Sequence, residues 1–387
     1  MNVILPVAIE LVVDDVGWHN GADERYLNLP ARSGLPRYHH PNDVKALNAI
    51  GEGLNMKIIC SLVLGEWDRK NTLRGIPHLS PDEQTWDAAG EMDPEYTQAY
   101  FDALEESKFL DYSLHGLNHG YYEGGKLNTA RQYYPDIKNE QGERVGFRWL
   151  PEEEFDRMVD LFYGIYNEWD FKKDIVTFVS PCGCMGTPTD EGNLNYAKAL
   201  LRRGILYWCN SWHDHEDICD TIEGLITTKG YDIITWNAYD VDPDYLEPLR
   251  EGERVGAACG MHLTNFIRFN PEKNFEYVPK WVNYFKRQAE VFGFMLARDM
   301  ADSSSQAMYA RFASLKETED GFTVDLTNVD KQGALALRDE FYVSIRNSAA
   351  SGTPTVTGGE ITLYESKGEF KTYKIRRHCN SKITVKY

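Results

Sequence analysis

Two adjacent carboxylates, Asp14 and Asp15, end an apolar run that begins at Ile9. If such a pair is buried, it needs a cation or a proton between its two charges. At a solvated strand end the pair needs neither, because aspartate is common in turns. Taken alone, the pair is compatible with a catalytic or metal site and with an ordinary turn.

Two histidines follow another apolar run with the spacing His115-Gly-Leu-Asn-His119. On a helical turn, residues i and i+4 face the same way, with Cβ atoms about 5–6 Å apart. Two imidazoles at that separation can share one metal ion, as they do in helical zinc motifs. A single histidine is usually structural, but a pair with this spacing after a strand favours metal ligation.

Two further strand ends carry groups that could act on a substrate. The segment Ser180-Pro181-Cys182-Gly183 predicts a tight turn. Such a turn either only reverses the chain or directs a backbone N–H near Cys182 into a site, where it could stabilise an oxyanion. His262 ends another apolar run, so its imidazole meets either a partner in the core or the same site.

These polar residues lie on an alternation of strand-like and helix-like segments. The strand-like segments are short, apolar and rich in β-branched residues, at positions 9–14, 57–64, 109–115, 174–181, 204–210, 232–237 and 255–262. Amphipathic stretches such as 94–108, 151–170 and 275–297 lie between or after them. This alternation predicts an α/β fold with a parallel sheet, but periodicity does not distinguish an open sheet from a closed barrel.

Three predicted connections, residues 17–42, 65–93 and 116–150, are much longer than usual and follow strand ends. In parallel α/β folds, such loops form the face that carries the active site. Their aromatic residues could line a groove for a carbohydrate or could pack within the loops. They are Trp18, Trp67, Trp86, Tyr121, Tyr122, Tyr133, Tyr134 and Trp149.

The pattern changes near residue 302. Residues 302–305, Asp-Ser-Ser-Ser, predict a linker, and the runs beyond it alternate with a period of two. Short runs of that kind between turns are typical of an antiparallel sandwich. We therefore expect two domains: residues 1–302 as the α/β domain and residues 303–387 as a smaller all-β sandwich.

The charge excludes some partners. The formal net charge is −19, and residues 303–387 carry 12 Lys and Arg against 10 Asp and Glu, so the acidic excess lies in the first 302 residues. A body this acidic repels phosphate backbones, so we expect no nucleic-acid partner.

The sequence has no apolar run of about 18 residues and no secretory signal pattern, so we expect no membrane partner and a cytoplasmic location. The oligomeric state is not predicted. The seven scattered cysteines are typical of reduced, buried thiols.

The order of these motifs resembles the polysaccharide deacetylase (NodB-homology) family of carbohydrate esterases, over roughly residues 5–300. An Asp-Asp pair follows strand one, an H-x-x-x-H pair follows strand three, a proline turn follows strand four, and a histidine ends the last strand. The resemblance implies an irregular seven-stranded (β/α) barrel that holds one divalent metal ion, expected to be zinc. It also implies a role for five residues: Asp14 as general base, Asp15, His115 and His119 as metal ligands, and His262 as general acid.

The sequence departs from the family pattern in several places. Thr-Phe-Asp-Asp-Gly is here Val-Val-Asp-Asp-Val, and Gly116 stands where Ser or Thr usually follows the first histidine. The arginine of the Arg-x-Pro-x-Gly motif, which orients the base, is Val179 here; Arg37 or Arg148, in the long loops, could replace it. The family's Asp-and-Trp motif after strand five is matched only in part, by Asn-Ser-Trp212.

The expected function is therefore metal-dependent removal of acetyl groups from an N- or O-acetylated carbohydrate. Three protein ligands would leave a coordination position open, as catalytic metal sites do. The expected oxyanion and substrate contacts are Cys182, Trp18, Tyr121 and Trp212. Two alternatives stay open. One is a non-catalytic carbohydrate- or metal-binding protein with a degenerate deacetylase site, which the missing arginine would explain. The other is a glycoside hydrolase on a related barrel, which would need two carboxylates about 5–10 Å apart.

Overall fold

The computed structural model describes residues 3–17, 37–80, 83–209, 216–234, 241–346, 354–378 and 381–387. The chain is a mixed α/β protein with several sheets. Its strands are, in chain order, β1 (Val3–Ile4), β2 (Val7–Val16), β3 (Ile58–Val63), β4 (Leu110–Gly116), β5 (Tyr121–Glu123), β6 (Lys126–Thr129), β7 (Asp136–Lys138), β8 (Arg144–Phe147), β9 (Thr177–Val179), β10 (Tyr207–Cys209), β11 (Cys219–Ile222), β12 (Leu225–Thr228), β13 (Gly230–Asp232), β14 (Ala258–His262), β15 (Phe294–Leu296), β16 (Ser314–Thr318), β17 (Gly321–Asp325), β18 (Glu340–Arg346), β19 (Thr355–Thr357), β20 (Gly359–Lys367), β21 (Phe370–Arg377) and β22 (Lys382–Lys386).

Helices occupy most of the longer connections between strands. They are α1 (Pro41–Leu54), α2 (Ala88–Glu91), α3 (Pro94–Glu106), α4 (Glu152–Glu168), α5 (Glu191–Leu201), α6 (Leu263–Phe266), α7 (Asn274–Ala289), α8 (Met300–Phe312) and α9 (Thr327–Asp330). Helix α3 begins as its sequence predicts, because the Asp93 side chain accepts a hydrogen bond from the backbone N–H of Tyr96 and Pro94 occupies the first helical position. No helix within the described ranges is long and apolar enough to cross a membrane.

Among the described residues, the largest sheet has ten strands in the order β11-β12-β10-β9-β4-β3-β2-β14-β13, with β15 also paired to β2. All its pairings are parallel except that between β11 and β12. Parallel strands place their carboxyl ends at one edge. The predicted strand ends therefore come together at a single edge of the sheet.

This sheet does not close among the described residues, so the expected seven-stranded barrel is not confirmed. Its path ends at β11 on one side and at β13 on the other. The reason on the first side is local: β11 folds back antiparallel on β12 and so ends the sheet as an edge strand. The sequence does not predict this hairpin, because its strands mix polar and apolar residues.

Both faces of the sheet are covered, as parallel sheets require. Leu11 and Val13 of β2 pack in the core formed with helices α1, α3, α4, α5 and α7. Val12 points to the opposite side, where it packs in a second core with Met300 of α8. Glu10 lies on the same side as Val12 by strand alternation, fully buried, and neither of its carboxylate oxygens has a hydrogen-bond partner among the described residues.

Residues 302–305 are not a linker, contrary to the prediction from their composition. They belong to helix α8 and are at most 2% exposed. Their hydroxyl groups are used inside the protein: Ser303 Oγ donates to the Ala8 carbonyl at 2.8 Å, and Ser305 Oγ accepts from the Arg338 N–H at 3.0 Å. Small side chains with satisfied hydroxyls let the helix approach the sheet closely, so a serine run does not require exposure.

The C-terminal region contains two four-stranded sheets, β1-β18-β21-β20 and β16-β17-β22-β19, in which every pairing is antiparallel. Apolar residues from both sheets, such as Val324 and Val343, share one core. The N-terminal strand β1 pairs with β18. A domain boundary at residues 302/303 remains a prediction.

Candidate metal centre

The carboxylates of Asp14 and Asp15 lie at a bulge near the end of β2. The register of β2 against β3 shifts between Val13 and Val16, and Asp15 has a left-handed backbone with φ of 65°. In a regular strand, neighbouring side chains point to opposite faces of the sheet. The bulge and the left-handed residue instead allow both carboxylates to serve one site.

The two histidines are close together, but not on a helical turn as expected. His115 is on strand β4, and His119 follows in a bend with φ of 49°. Their ring centroids are 5.1 Å apart. The i and i+4 spacing therefore brings the rings together through a strand end and a bend.

The bend between the histidines is held by a residue that the sequence analysis missed. Oε1 of the fully buried Gln132 accepts hydrogen bonds from the backbone N–H groups of Leu117 at 3.0 Å and Asn118 at 3.3 Å. The N–H of Gly65 also donates to the Leu117 carbonyl, at 2.7 Å. A Cβ atom on Gly65 would lie 1.8 Å from Oδ1 of Asn118, so this close approach requires glycine.

Asp15, His115 and His119 form a buried cluster that could hold a metal ion. Oδ1 of Asp15 lies 3.8 Å from Nε2 of each histidine, and the three possible ligand atoms all lie within 4.8 Å of one another. Two ligands of a tetrahedral zinc ion, each about 2.0–2.1 Å from it, lie about 3.4 Å apart. The donor set and its spacing therefore fit one divalent metal ion.

The orientation of His115 supports this fit. Its Nδ1 is 2.7 Å from the Val179 carbonyl, to which it can only donate, so Nε2 carries the free lone pair. Burial also lowers the pKa of His115 to about 4, which keeps the ring neutral. A neutral imidazole that is fixed by a backbone carbonyl is the usual form of a metal-ligating histidine.

Asp14 and His262 stand beside this cluster. They are register partners across the pair β2 and β14, and Nε2 of His262 lies 3.9 Å from Oδ2 of Asp15. Burial raises the pKa of Asp14, whereas His262 and a hydrogen bond from Ser61 lower it. The two residues predicted as base and acid thus lie next to each other, on the partly exposed side of the cluster.

The turn after β9 also reaches the site. Cys182 has a left-handed backbone with φ of 54°, and the Gly183 N–H donates to the Ser180 carbonyl at 3.1 Å, so the predicted tight turn is present. Burial and the nearby Asp15 raise the pKa of the Cys182 thiol to about 12. Asp15, His119 and Cys182 all have a positive φ, which is uncommon outside glycine and is often found at functional sites.

The aromatic residues of the long loops are mostly packed inside them. Trp67, Tyr122, Tyr133 and Tyr134 are at most 2% exposed. Tyr121 is 1% exposed, and its ring stacks on His78 with centroids 4.6 Å apart. The other two predicted substrate contacts, Trp18 and Trp212, lie outside the described residues.

Neither arginine suggested as a replacement for the missing one acts on Asp14. Arg37 donates to both carboxylate oxygens of Asp43, at 2.8 and 2.9 Å. Arg148 donates to the Tyr121 hydroxyl at 3.0 Å. Among the described residues, His262 and Ser61 are the groups that lower the pKa of Asp14. In the sequence, Ser61 stands out because it is a polar residue inside the apolar run of β3.

No protein-family model and no curated protein matches this chain. Among solved structures, it is similar to a Mycobacterium smegmatis protein assigned as a polysaccharide deacetylase, with 10% identity, a TM-score of 0.40, and coverage of 81% of this chain and 94% of that one. It is also similar to Agd3, described as a carbohydrate deacetylase, with 10% identity, a TM-score of 0.46 and coverage of 98% of this chain. The chain spans 65% of the length of Agd3. Both TM-scores lie below 0.5, so neither likeness indicates what the site does.

Proposed function

We propose that this protein is a metal-dependent hydrolase that removes acetyl groups from an N- or O-acetylated carbohydrate. One observation carries this proposal: the Asp15 carboxylate lies 3.8–3.9 Å from the Nε2 atoms of His115, His119 and His262, at the end of the strand that also carries Asp14. A structural metal site has four protein ligands, whereas a catalytic one leaves a position open. Three ligands with an acid and a base beside them suit hydrolysis.

Asp15, His115 and His119 would hold the metal ion, which we propose to be zinc because two imidazoles and one carboxylate with an open position are a known ligand set of catalytic zinc sites. A zinc ion bound there would lower the pKa of a water molecule and polarise an acetyl carbonyl. The Val179 carbonyl would keep the lone pair of His115 Nε2 directed at the ion.

The remaining residues would move protons and stabilise charge. Asp14 would accept a proton from the attacking water as general base. A backbone N–H at the turn around Cys182 would donate to the oxyanion that develops on the acetyl carbonyl. His262 would protonate the departing sugar nitrogen or oxygen, so the products are acetate and a free amine or hydroxyl.

We also propose that the chain is a distant relative of the NodB-homology deacetylases, with the ten-stranded sheet as an irregular form of their seven-stranded barrel. The order of the motifs supports this relation. Residues 303–387, which begin within helix α8, would form a second domain built mainly from antiparallel strands. Tyr121, Trp18 and Trp212 remain proposed substrate contacts, although Tyr121 is buried in this structure.

A second candidate function is a non-catalytic sugar- or metal-binding protein. The observation that favours it is the position of two arginines: Arg37 binds Asp43 and Arg148 binds Tyr121, so neither of them supplies Asp14 with the guanidinium of the family pattern. Such a protein would bind metal and saccharide but release no acetate.

The test is acetate release by the full chain after removal of metal and reloading with zinc. We expect release from at least one member of a panel of chitin oligosaccharides, acetylated xylan and acetylated monosaccharides, and loss of that release in His115→Ala. His378→Ala is the matched control, because His378 is an exposed histidine paired with Glu360. Metal binding without acetate release from any substrate would instead support the binding protein.

A further inference from the structure

Three exposed aromatic side chains lie in the two segments that follow strands β2 and β14. Tyr38 is 59% exposed and stands before helix α1, which follows β2 in the chain. Phe269 and Phe275, 61% and 40% exposed, come after helix α6, which begins directly after His262. Strands β2 and β14 are parallel neighbours, and helices α1 and α6 contact each other. Both segments therefore lie on the side of the sheet that carries the metal centre.

The distance from Phe269 to the metal centre is limited by the chain between them. From His262 to Phe269 the chain makes one short helix, Leu263–Phe266, and then three further residues. The helix advances about 1.5 Å per residue and the other residues at most about 3.6 Å each. Phe269 consequently lies within about 20 Å of His262, which faces Asp15. A short oligosaccharide can span that distance.

A buried polar network fixes the two segments to each other. Arg37 donates to both carboxylate oxygens of Asp43, at 2.8 and 2.9 Å, and to the Arg268 carbonyl, at 2.7 and 3.1 Å. Asn274 donates to Asp43 Oδ1 at 2.6 Å and accepts from the Arg268 N–H at 2.8 Å. Asp43 and Asn274 are each 1% exposed. A bidentate pair of arginine and carboxylate is strong and has a specific geometry.

Each exposed aromatic residue directly follows one member of this network in the sequence. Tyr38 follows Arg37, and the two phenylalanines follow Arg268 and Asn274. The backbone that carries the rings is therefore held in place before any ligand arrives. A surface that is ordered in advance loses less conformational entropy on binding. The flat apolar face of an aromatic ring also suits the C–H face of a sugar ring.

The size and charge of this surface favour a saccharide over a protein or a membrane. An aromatic side chain has about 150–250 Å² of surface, so the exposed parts of the three rings offer roughly 300 Å² together. A stable protein interface buries about 800 Å² on each partner. The net charge of −19 would repel an anionic membrane surface. A neutral saccharide meets neither obstacle.

We propose that Tyr38, Phe269 and Phe275 form a saccharide subsite beside the metal centre. We call these three residues the aromatic subsite. It binds sugar units of the same chain that lie further along from the unit at the metal. The inference rests on the proposed function and narrows its substrate to oligosaccharides and polysaccharides, because a monosaccharide at the metal would not reach the rings.

The first experiment measures binding by calorimetry to the full chain stripped of metal, so that turnover does not interfere. The probes are the dimer and hexamer of N-acetylglucosamine and acetylated xylo-oligosaccharides of the same two lengths. In at least one series the hexamer should bind about 10-fold or more tightly than the dimer. Tyr38→Ala and Phe269→Ala should each weaken binding of that hexamer about 3- to 10-fold, and binding of the dimer less.

The matched control is Tyr364→Ala, which removes a 39% exposed aromatic side chain from strand β20 and should bind as the wild type does. Phe269→Leu keeps an apolar side chain but no ring, and it should bind the hexamer as weakly as Phe269→Ala. Phe269→Trp should keep the affinity. Full affinity in Phe269→Leu would overturn stacking as the basis of the subsite. So would a hexamer that binds no better than its dimer, or the absence of binding by either hexamer.

Other occupants would be detected in the same variants. If neither hexamer binds, the test turns to dimerisation in sedimentation velocity and to binding of phosphatidylserine vesicles. Loss of either property in Tyr38→Ala would assign the rings to a second copy of the chain or to a membrane, and would overturn the saccharide subsite.

Acetate release by the zinc-loaded protein keeps this inference distinct from the proposed function. We expect KM for the hexamer to rise in Tyr38→Ala and in Phe269→Ala more than KM for the dimer. Release with a KM that is independent of chain length would refute the subsite while the proposed function stands. Hexamer binding that depends on the rings, without release from any substrate, would refute the proposed function while the subsite stands.

Discussion

Replacement of Gln132 by methionine should weaken the metal site without a change in any ligand. Gln132 Oε1 accepts from the N–H groups of Leu117 and Asn118, which belong to the bend that places His119. Methionine has a similar size and cannot replace this acceptor. Each buried N–H left without an acceptor costs about 1–3 kcal/mol, so the metal-free variant should lose about 2 kcal/mol or more of its free energy of unfolding.

The effect on metal binding should come from the freedom that His119 gains. Loss of a residue that orients a ligand typically lowers metal affinity about 10- to 100-fold. At a fixed excess of zinc, that loss reduces the stabilisation by metal by about 1.4–2.7 kcal/mol. Denaturant unfolding with and without zinc measures both quantities, and competition with a chromophoric chelator gives the Kd.

Gln132→Glu is the matched variant, because a glutamic acid side chain retains an acceptor oxygen at the same distance along the chain. It should keep more of the zinc affinity than Gln132→Met. A folded Gln132→Met protein with the wild-type Kd for zinc would refute the reasoning, since the bend would then hold His119 without this side chain.

Five other substitutions test separate parts of the site and core. His115→Ala and His119→Ala should each lose about one equivalent of zinc by elemental analysis while circular dichroism stays native; retained zinc would exclude them as ligands. Asp14→Asn should keep its zinc and lose roughly 100-fold in turnover; equal zinc loss would make it a ligand instead. His262→Ala should depress hydrolysis of an N-acetyl sugar by orders of magnitude and of an aryl acetate only slightly, because an amine must be protonated to leave and a phenolate need not; equal losses would show that it is not the acid. Burial raises the pKa of Glu10 far above its value in the unfolded chain. Above that unfolded pKa the unfolded chain releases the proton while the folded protein retains it, so the free energy of unfolding falls as pH rises. Glu10→Gln should therefore raise the Tm at pH 7 but not near pH 4; a difference in Tm that is independent of pH would contradict that assignment.

Much of the sheet could be predicted from sequence, because strands buried on both faces appear as continuous apolar runs. Strands β2, β3, β4 and β14 lie where those runs predict them. The hairpin β11–β12 was missed, since its mixed strands give no apolar run. The composition of residues 302–305 predicts a linker and not helix α8, because composition does not reveal that the serine hydroxyls have partners inside the protein.

The grouping of the site residues followed from topology, whereas their local geometry did not. Asp14, His115 and His262 end parallel strands, so one sheet edge brings them together. The bulge at Asp15 depends on a left-handed backbone conformation that the sequence pattern does not predict. Gln132 lies in a long loop, and its role depends on a contact with residues 117 and 118 that spacing alone cannot show.

The pairing of β1 with β18 has a consequence for how the chain is made. Val3 pairs with Ile345, so strand β1 cannot form its sheet pairing until almost the whole chain has been synthesised. Helix α8, which covers the face of the large sheet that carries Val12, also emerges after every strand of that sheet. The growing chain therefore carries an uncovered apolar sheet face late into synthesis, which is the kind of surface that recruits chaperones. Deletion of residues 1–5 should consequently impair the yield of folded protein more than the loss of two paired residues would suggest.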